Sequence, residues 1–172
     1  VVIRATFRAG SNLITSGTPS LPASEADIVS IRKMLMPPSG ERSDGTAAII
    51  LVDVSGSMDG TVADADGTRK PKIQIARRCV ADIVRQAEAF ASAHKDKTVL
   101  LGVAEFSSVG GSHYREVVPL SPPSLAKAQP RINAMHARGG TPIGDSIIAA
   151  KRSLDASGLR KLHLLVVTDG EN

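Results

Sequence analysis

The chain has 172 residues, 42% hydrophobic and 22% charged, a composition that suits one globular domain with a real core plus an appendage. Its 21 basic and 17 acidic residues leave a formal charge of +4, and the bases are scattered from Arg69 to Lys72 and over Arg77, Arg78, Lys95 and Lys97, which reads as a solvated surface. The only aromatics are Phe7, Phe90, Phe106 and Tyr114, Cys79 is the single cysteine, and no run nears the ~18 apolar residues of a membrane helix, so nucleic-acid binding, a disulfide scaffold and a membrane segment all lose ground.

Val1 to Phe7 alternates like a strand, and Gly10 to Ser24 is a Gly, Ser, Thr and Pro-rich loop. From Ser24 to Met36 two periods compete. Ile28, Ile31 and Leu35 fit a helix, whereas Val29, Ile31 and Lys33 alternate, and the reading leans towards strand. Pro37 to Gly45 then behaves as a linker, so residues 1–45 read as an extension and residues 46–172 as the main domain. Val1 in place of an initiator methionine suggests removed upstream sequence, and the opening residues lack the order of a secretory leader. Localisation stays open, leaning cytoplasmic.

Ala47 to Val52 is a buried-type strand, and a polar Gly/Asp-rich loop separates it from an amphipathic helix over Pro71 to His94, with Pro71 suited to the first turn. Ile73, Ala76, Val80, Ile83, Val84, Ala87, Phe90 and Ala91 form the apolar face of that helix, with Lys72, Arg78, Asp82, Arg85 and Glu88 opposite. Cys79 lies beside Val80 and is expected to be a buried, inert thiol. Strands follow at Thr98 to Phe106 and Tyr114 to Leu120, helices at Ser124 to Met135 and Ile143 to Leu154, and a last strand at Leu162 to Thr168. Near-continuous apolar strands separated by helices predict an α/β fold with a doubly wound, mostly parallel sheet covered on both faces.

Chemistry concentrates where the first main strand ends. Asp53, Ser55 and Ser57 occur at every second position, so an extended backbone puts them on one side, and Gly56 is expected to let the turn bend around an ion. One carboxylate and two hydroxyls are hard oxygen donors suited to Mg²⁺ or Mn²⁺ rather than zinc. Alone, Asp53 and Ser55 are equally well explained as loop caps. Two further loops at strand or helix ends, Gly139-Gly140-Thr141-Pro142 and Thr168-Asp169-Gly170-Glu171, carry matching chemistry at the edge where open parallel sheets gather ligands.

Asp-Val-Ser-Gly-Ser at residues 53–57, Thr141 in Gly-Gly-Thr-Pro and Asp169 in Thr-Asp-Gly together resemble, in order and spacing, the metal-ion-dependent adhesion site of the von Willebrand factor type A domain. The resemblance runs from about Thr46 to Asn172. It implies that Ser55 and Ser57 bind Mg²⁺ through their hydroxyls, Thr141 directly or through water, and Asp53 and Asp169 directly or through the ion's waters. Two carboxylates leave such a site near neutral, so an Asp or Glu from a partner protein can complete the coordination. The implied function is adhesion-type protein binding, not turnover.

Other features carry less. Asp59, Asp64 and Asp66 do not fit a calcium loop, because Val62 and Ile73 fall where ligands are required, and a solvated loop is expected. His94, His113, His136 and His163 have no ligand spacing and are expected to be satisfied or exposed, with a rim role open to His136, five residues before Thr141. Ser55 and Ser57 lack a nucleophile-elbow context, and no phosphate-binding Gly-Lys-Ser/Thr loop occurs. An ATPase would therefore be a separate partner, as in an alternative role within a chelatase-like or chaperone-like complex. A metal-assisted hydrolase ranks lower, with only Glu171 as a candidate base.

The family's sheet has strand order 3-2-1-4-5-6, and this chain stops just past its fourth strand. An apolar fourth strand with an open edge is a liability. The sequence thus predicts a domain incomplete at its C-terminus, belonging to a longer protein, or an edge covered by residues 1–36 or another molecule.

Overall fold

A computed structural model describes residues 2–7, 29, 40–109 and 113–170, the first segment as backbone. A five-stranded sheet has the order β1 (Val2–Phe7), β7 (Leu159–Val167), β2 (Ser43–Asp53), β5 (Val99–Phe106), β6 (Tyr114–Ser121). Helices α1 (Lys72–Ala93), α2 (Leu125–Asn133) and α3 (Ile143–Ala156) flank it. The loop and the ambiguous segment expected between residues 8 and 39 lie outside the described residues, Val29 apart.

Strand β2 pairs in parallel with β5 on one side and β7 on the other, which explains its unbroken apolar run. Successive side chains leave a strand on opposite faces. Ile50, Val52 and Val54 therefore join Ile73, Ala76, Val80 and Val84 of α1 and Ile132 of α2 in one core. Ala47, Ile49 and Leu51 point the other way and pack with Phe106, Ala150, Leu154, Leu164 and Val166 around α3. Each large aliphatic side chain so buried contributes about 1.5–3 kcal/mol relative to exposure, and the two half-cores fix β2 as the axis of the domain.

The outer strands run antiparallel. β6 opposes β5 and β1 opposes β7, while the central pairs stay parallel, in keeping with the doubly wound, mostly parallel sheet expected from the sequence. The physical reason for β6 is chain length. Only residues 107–113 connect it to β5, far short of the dozen or so residues a parallel crossover needs. β1 pairs with β7 from Val2↔Val167 to Phe7↔Leu162, so the chain's own first strand covers that edge, the alternative in which residues 1–36 do so.

Several boundaries differ from the sequence reading. β2 starts at Ser43, taking in residues read as linker, with a register shift against β7 between Ser43 and Thr46. Pro71 stands at the N-cap of α1, which begins at Lys72. The Gly/Asp-rich loop holds a 3₁₀ turn at Gly56–Asp59 and a hairpin of β3 (Thr61–Ala63) and β4 (Arg69–Pro71). Cys79 is exposed, not buried, because it lies one position before the buried Val80 and off the apolar stripe. Among the described residues no helix is long and apolar enough to cross a membrane.

Candidate metal centre

Because β2, β5 and β7 run parallel, their C-terminal ends open on one edge of the sheet. Asp53 is the last residue of β2 and is fully buried. A buried carboxylate needs donors, and both of its oxygens have one. Oδ1 accepts the Ser55 N–H at 2.8 Å and Oδ2 accepts the Thr168 hydroxyl at 2.7 Å. Thr168 Oγ1 in turn accepts the Gly170 N–H at 3.0 Å, so Asp53 ties the exit of β2 to that of β7 and to the segment carrying Asp169.

Ser55 keeps an extended backbone, and the 3₁₀ turn that follows folds Ser57 back until the two hydroxyl oxygens lie 3.0 Å apart. Gly56 does not serve as expected. It is absent from the positive-φ positions, and a Cβ there would make only ordinary contact, 3.5 Å from the Gly139 carbonyl. What matters at residue 56 is its amide, which donates to that carbonyl at 2.8 Å.

This bond brings in the loop between α2 and α3. The Arg138 N–H donates to the Val54 carbonyl at 2.5 Å, the Val54 N–H to the Phe106 carbonyl at 3.1 Å, and the Gly140 N–H to Ser108 Oγ at 2.6 Å. Gly139 is irreplaceable here. Its φ is +70°, and a Cβ would lie 2.6 Å from Val109 Cγ2. Thr141, half-buried, follows two residues after the carbonyl held by Gly56.

Asp169 sits half-buried after β7, with Oδ2 accepting Lys72 Nζ at 2.9 Å. Lys72 was assigned to the solvent side of its helix, yet as the first residue of α1 it reaches this edge. Farther out, His136 Nδ1 lies 3.1 Å from Arg77 and His113 Nδ1 lies 2.8 Å from Asp145, while the Asp64 carboxylate is grasped by both terminal nitrogens of Arg78 at 2.6 Å and by Lys70 at 2.8 Å. Asp64 is thus an ion-paired hairpin residue rather than a solvated one, its side chain only 4% exposed.

An octahedral divalent cation sets a geometric requirement on its oxygen donors. Oxygen ligands at about 2.0–2.1 Å, set at right angles, lie about 2.9 Å from each other. The Ser55–Ser57 oxygen separation of 3.0 Å fits that edge. The candidate residues bring three hydroxyls, of Ser55, Ser57 and Thr141, and two carboxylates, of Asp53 and Asp169, a chemistry that suits a hard cation retaining waters, and among the described residues no three His, Cys, Asp or Glu side chains cluster for a metal. Asp53 has acceptor capacity left after two hydrogen bonds.

Thr168, Lys72 and Ser108 were missed from sequence. Thr168 read as the end of a strand and Lys72 as a surface base. Ser107-Ser108, directly after β5, carried the signal used for the other loops, hydroxyls at a parallel strand's exit.

A family model described as von Willebrand factor type A domain matches residues 48–171. Among solved structures the chain is similar to the PilB minor pilin from Streptococcus sanguinis, at 17% identity and a TM-score of 0.50 over 70% of this chain and 28% of that one. It is also similar to a von Willebrand factor type A protein from Catenulispora acidiphila, at 24% identity and a TM-score of 0.43 over 67% and 24% of the two chains. A third similar structure is an uncharacterized membrane spanning protein from Vibrio fischeri, at 20% identity and a TM-score of 0.49 over 64% and 50%. The chain thus spans half or less of each of these proteins, and the pilin likeness bears on the fold alone. No curated protein matches it significantly.

Proposed function

The chain belongs to the von Willebrand factor type A family, whose domains generally mediate protein–protein interaction, often with a metal, and we propose that it is a Mg²⁺-dependent module that captures an acidic side chain of a partner protein, without turnover. Asp53, Ser55, Ser57, Thr141 and Asp169 would hold the ion, with Mn²⁺ as a substitute. The observation that carries the reading is the pair of hydroxyl oxygens 3.0 Å apart beside a fully buried carboxylate.

When bound, the ion supplies a Lewis-acidic position to which a carboxylate oxygen can bind. The chain's own residues prepare that position. Asp53 holds the Ser55 amide and Thr168 hydroxyl and so keeps two loops in register. Ser55 and Ser57 offer neutral oxygens, which leave the cation's charge less compensated than carboxylates would and favour an incoming anion. Lys72 neutralises part of the Asp169 charge.

Candidate partners are to be bound in Mg²⁺ and in chelator, with Ser57→Ala and Asp169→Ala alongside, and cation affinity measured by calorimetry. Binding that requires the ion and weakens at least tenfold in both variants is expected. Partner binding indifferent to chelator and to Asp169→Ala defeats the proposal.

A further inference from the structure

Glu105 lies next to the end of β5 and is 2% exposed, in a strand whose other buried side chains are apolar. Two guanidinium groups from different elements converge on one of its oxygens. Oε1 accepts Arg115 Nε at 2.8 Å from β6 and an Arg138 terminal nitrogen at 2.6 Å from the α2–α3 loop, while Oε2 is buried without a hydrogen-bond partner among the described residues. Burying such an ionic group is costly, and a well-packed apolar residue would often serve stability as well or better. Stability is therefore a weak reason for a glutamate here.

What the glutamate holds gives a better one. Arg138 is fixed twice, by its amide on the Val54 carbonyl and by its side chain on Glu105. The next two residues are each fixed once, Gly139 by the Gly56 amide and Gly140 by Ser108 Oγ, and Thr141 follows. Three consecutive residues thus dock the loop on the exits of β2 and β5. Glu105 provides the only charged tie among these contacts.

We infer that Glu105 is a positioning residue, acting through Arg138 to set where the loop presents Thr141 and thereby how tightly the centre binds its cation. The inference rests on the metal reading above. Groups that hold a metal's ligands in place commonly change affinity by about 10–100-fold when removed, and a residue acting through one intermediary should be non-additive with it.

The test is Mn²⁺ affinity of the full chain by electron paramagnetic resonance, comparing wild type, Glu105→Gln, Arg138→Met, the double variant, Arg138→Lys and Thr141→Ala, each folded by circular dichroism. Glu105→Gln and Arg138→Met should each weaken Mn²⁺ binding about tenfold, at the low end of that range. The double variant should lose no more than the worse single one, and Arg138→Lys should recover part of the loss. Should Glu105→Gln not fold, Arg138→Met, altered at an exposed side chain, decides alone.

Lowered thermal stability with wild-type Mn²⁺ affinity in both single variants overturns the inference, as does a double variant whose loss is the product of the two. Wild type and Thr141→Ala that both ignore Mn²⁺ defeat the metal reading and this inference with it. Affinity lost in Thr141→Ala but intact in Glu105→Gln and Arg138→Met defeats the inference alone.

Discussion

Asp53 is committed to the fold before any ion is considered, because each of its oxygens already accepts a hydrogen bond in a fully buried setting. Thr168→Val keeps the shape of the side chain but leaves Oδ2 without that donor. Such a loss costs about 1–3 kcal/mol, and urea unfolding in chelator should read it as a lower midpoint with an unchanged slope. An unaltered midpoint would show that the bond is dispensable. Gly139→Ala faces both a left-handed backbone and a 2.6 Å approach to Val109, so it should destabilise by more than ~1 kcal/mol, measured the same way. Asp53, Ser55, Ser57 and Asp169 stand out in the sequence as carboxylates and hydroxyls just past apolar strands, whereas Thr141, between two helices, is singled out by the family resemblance. Lys72 and Thr168 do not stand out, because one belongs by period to a solvent face and the other completes an apolar strand. Only the fold reveals what they meet.

The β3–β4 hairpin shows how an element can escape its sequence. Its strands are three residues each, too short for alternation to register, and the intervening Asp and Gly residues read as loop. Long-range charge marks it instead. Arg78 first, then Lys70 and the Ala65 amide, hold the Asp64 carboxyl far below the usual carboxylate range, and Lys70 with Thr68 lowers Asp66 to about 2. Both folded values lie below the ordinary 3.8. Their contribution is therefore complete above that value and is lost as pH falls through the folded ones, so the hairpin's hold on α1 should persist through mild acid and loosen only in strong acid. Carboxyl-carbon NMR should find Asp66 titrating near 2 and Asp64 lower still, with Arg78→Ala moving Asp64 upward. An ordinary midpoint for Asp64 in the unaltered chain would refute the assignment.

Across the whole molecule, the two half-cores on either side of β2 and the parallel centre of the sheet follow from the apolar runs and helical periods, which is why the architecture was legible. The direction of the outer strands depends on connection length for β6 and on a remote partner for β1, and periodicity reports neither. β1 covers β7 from Leu162 to Val167, and open apolar strand edges promote self-association. A chain lacking residues 1–7 should therefore sediment as dimers or larger species where the full chain does not. Equal sedimentation would mean that β7 needs no such cover. The loops at the other end of the strands are held differently. Gly56 to Gly139, Arg138 to Val54 and Val54 to Phe106 are bonds of main chain to main chain, made without the side chains of Ser55, Ser57 or Thr141. Descent with modification could therefore replace Ser55, Ser57 and Thr141 one by one and leave the outline intact. Asp53, whose carboxylate is itself a strut, would be the last to yield, so a lineage that lost those hydroxyls would keep the scaffold that carries them.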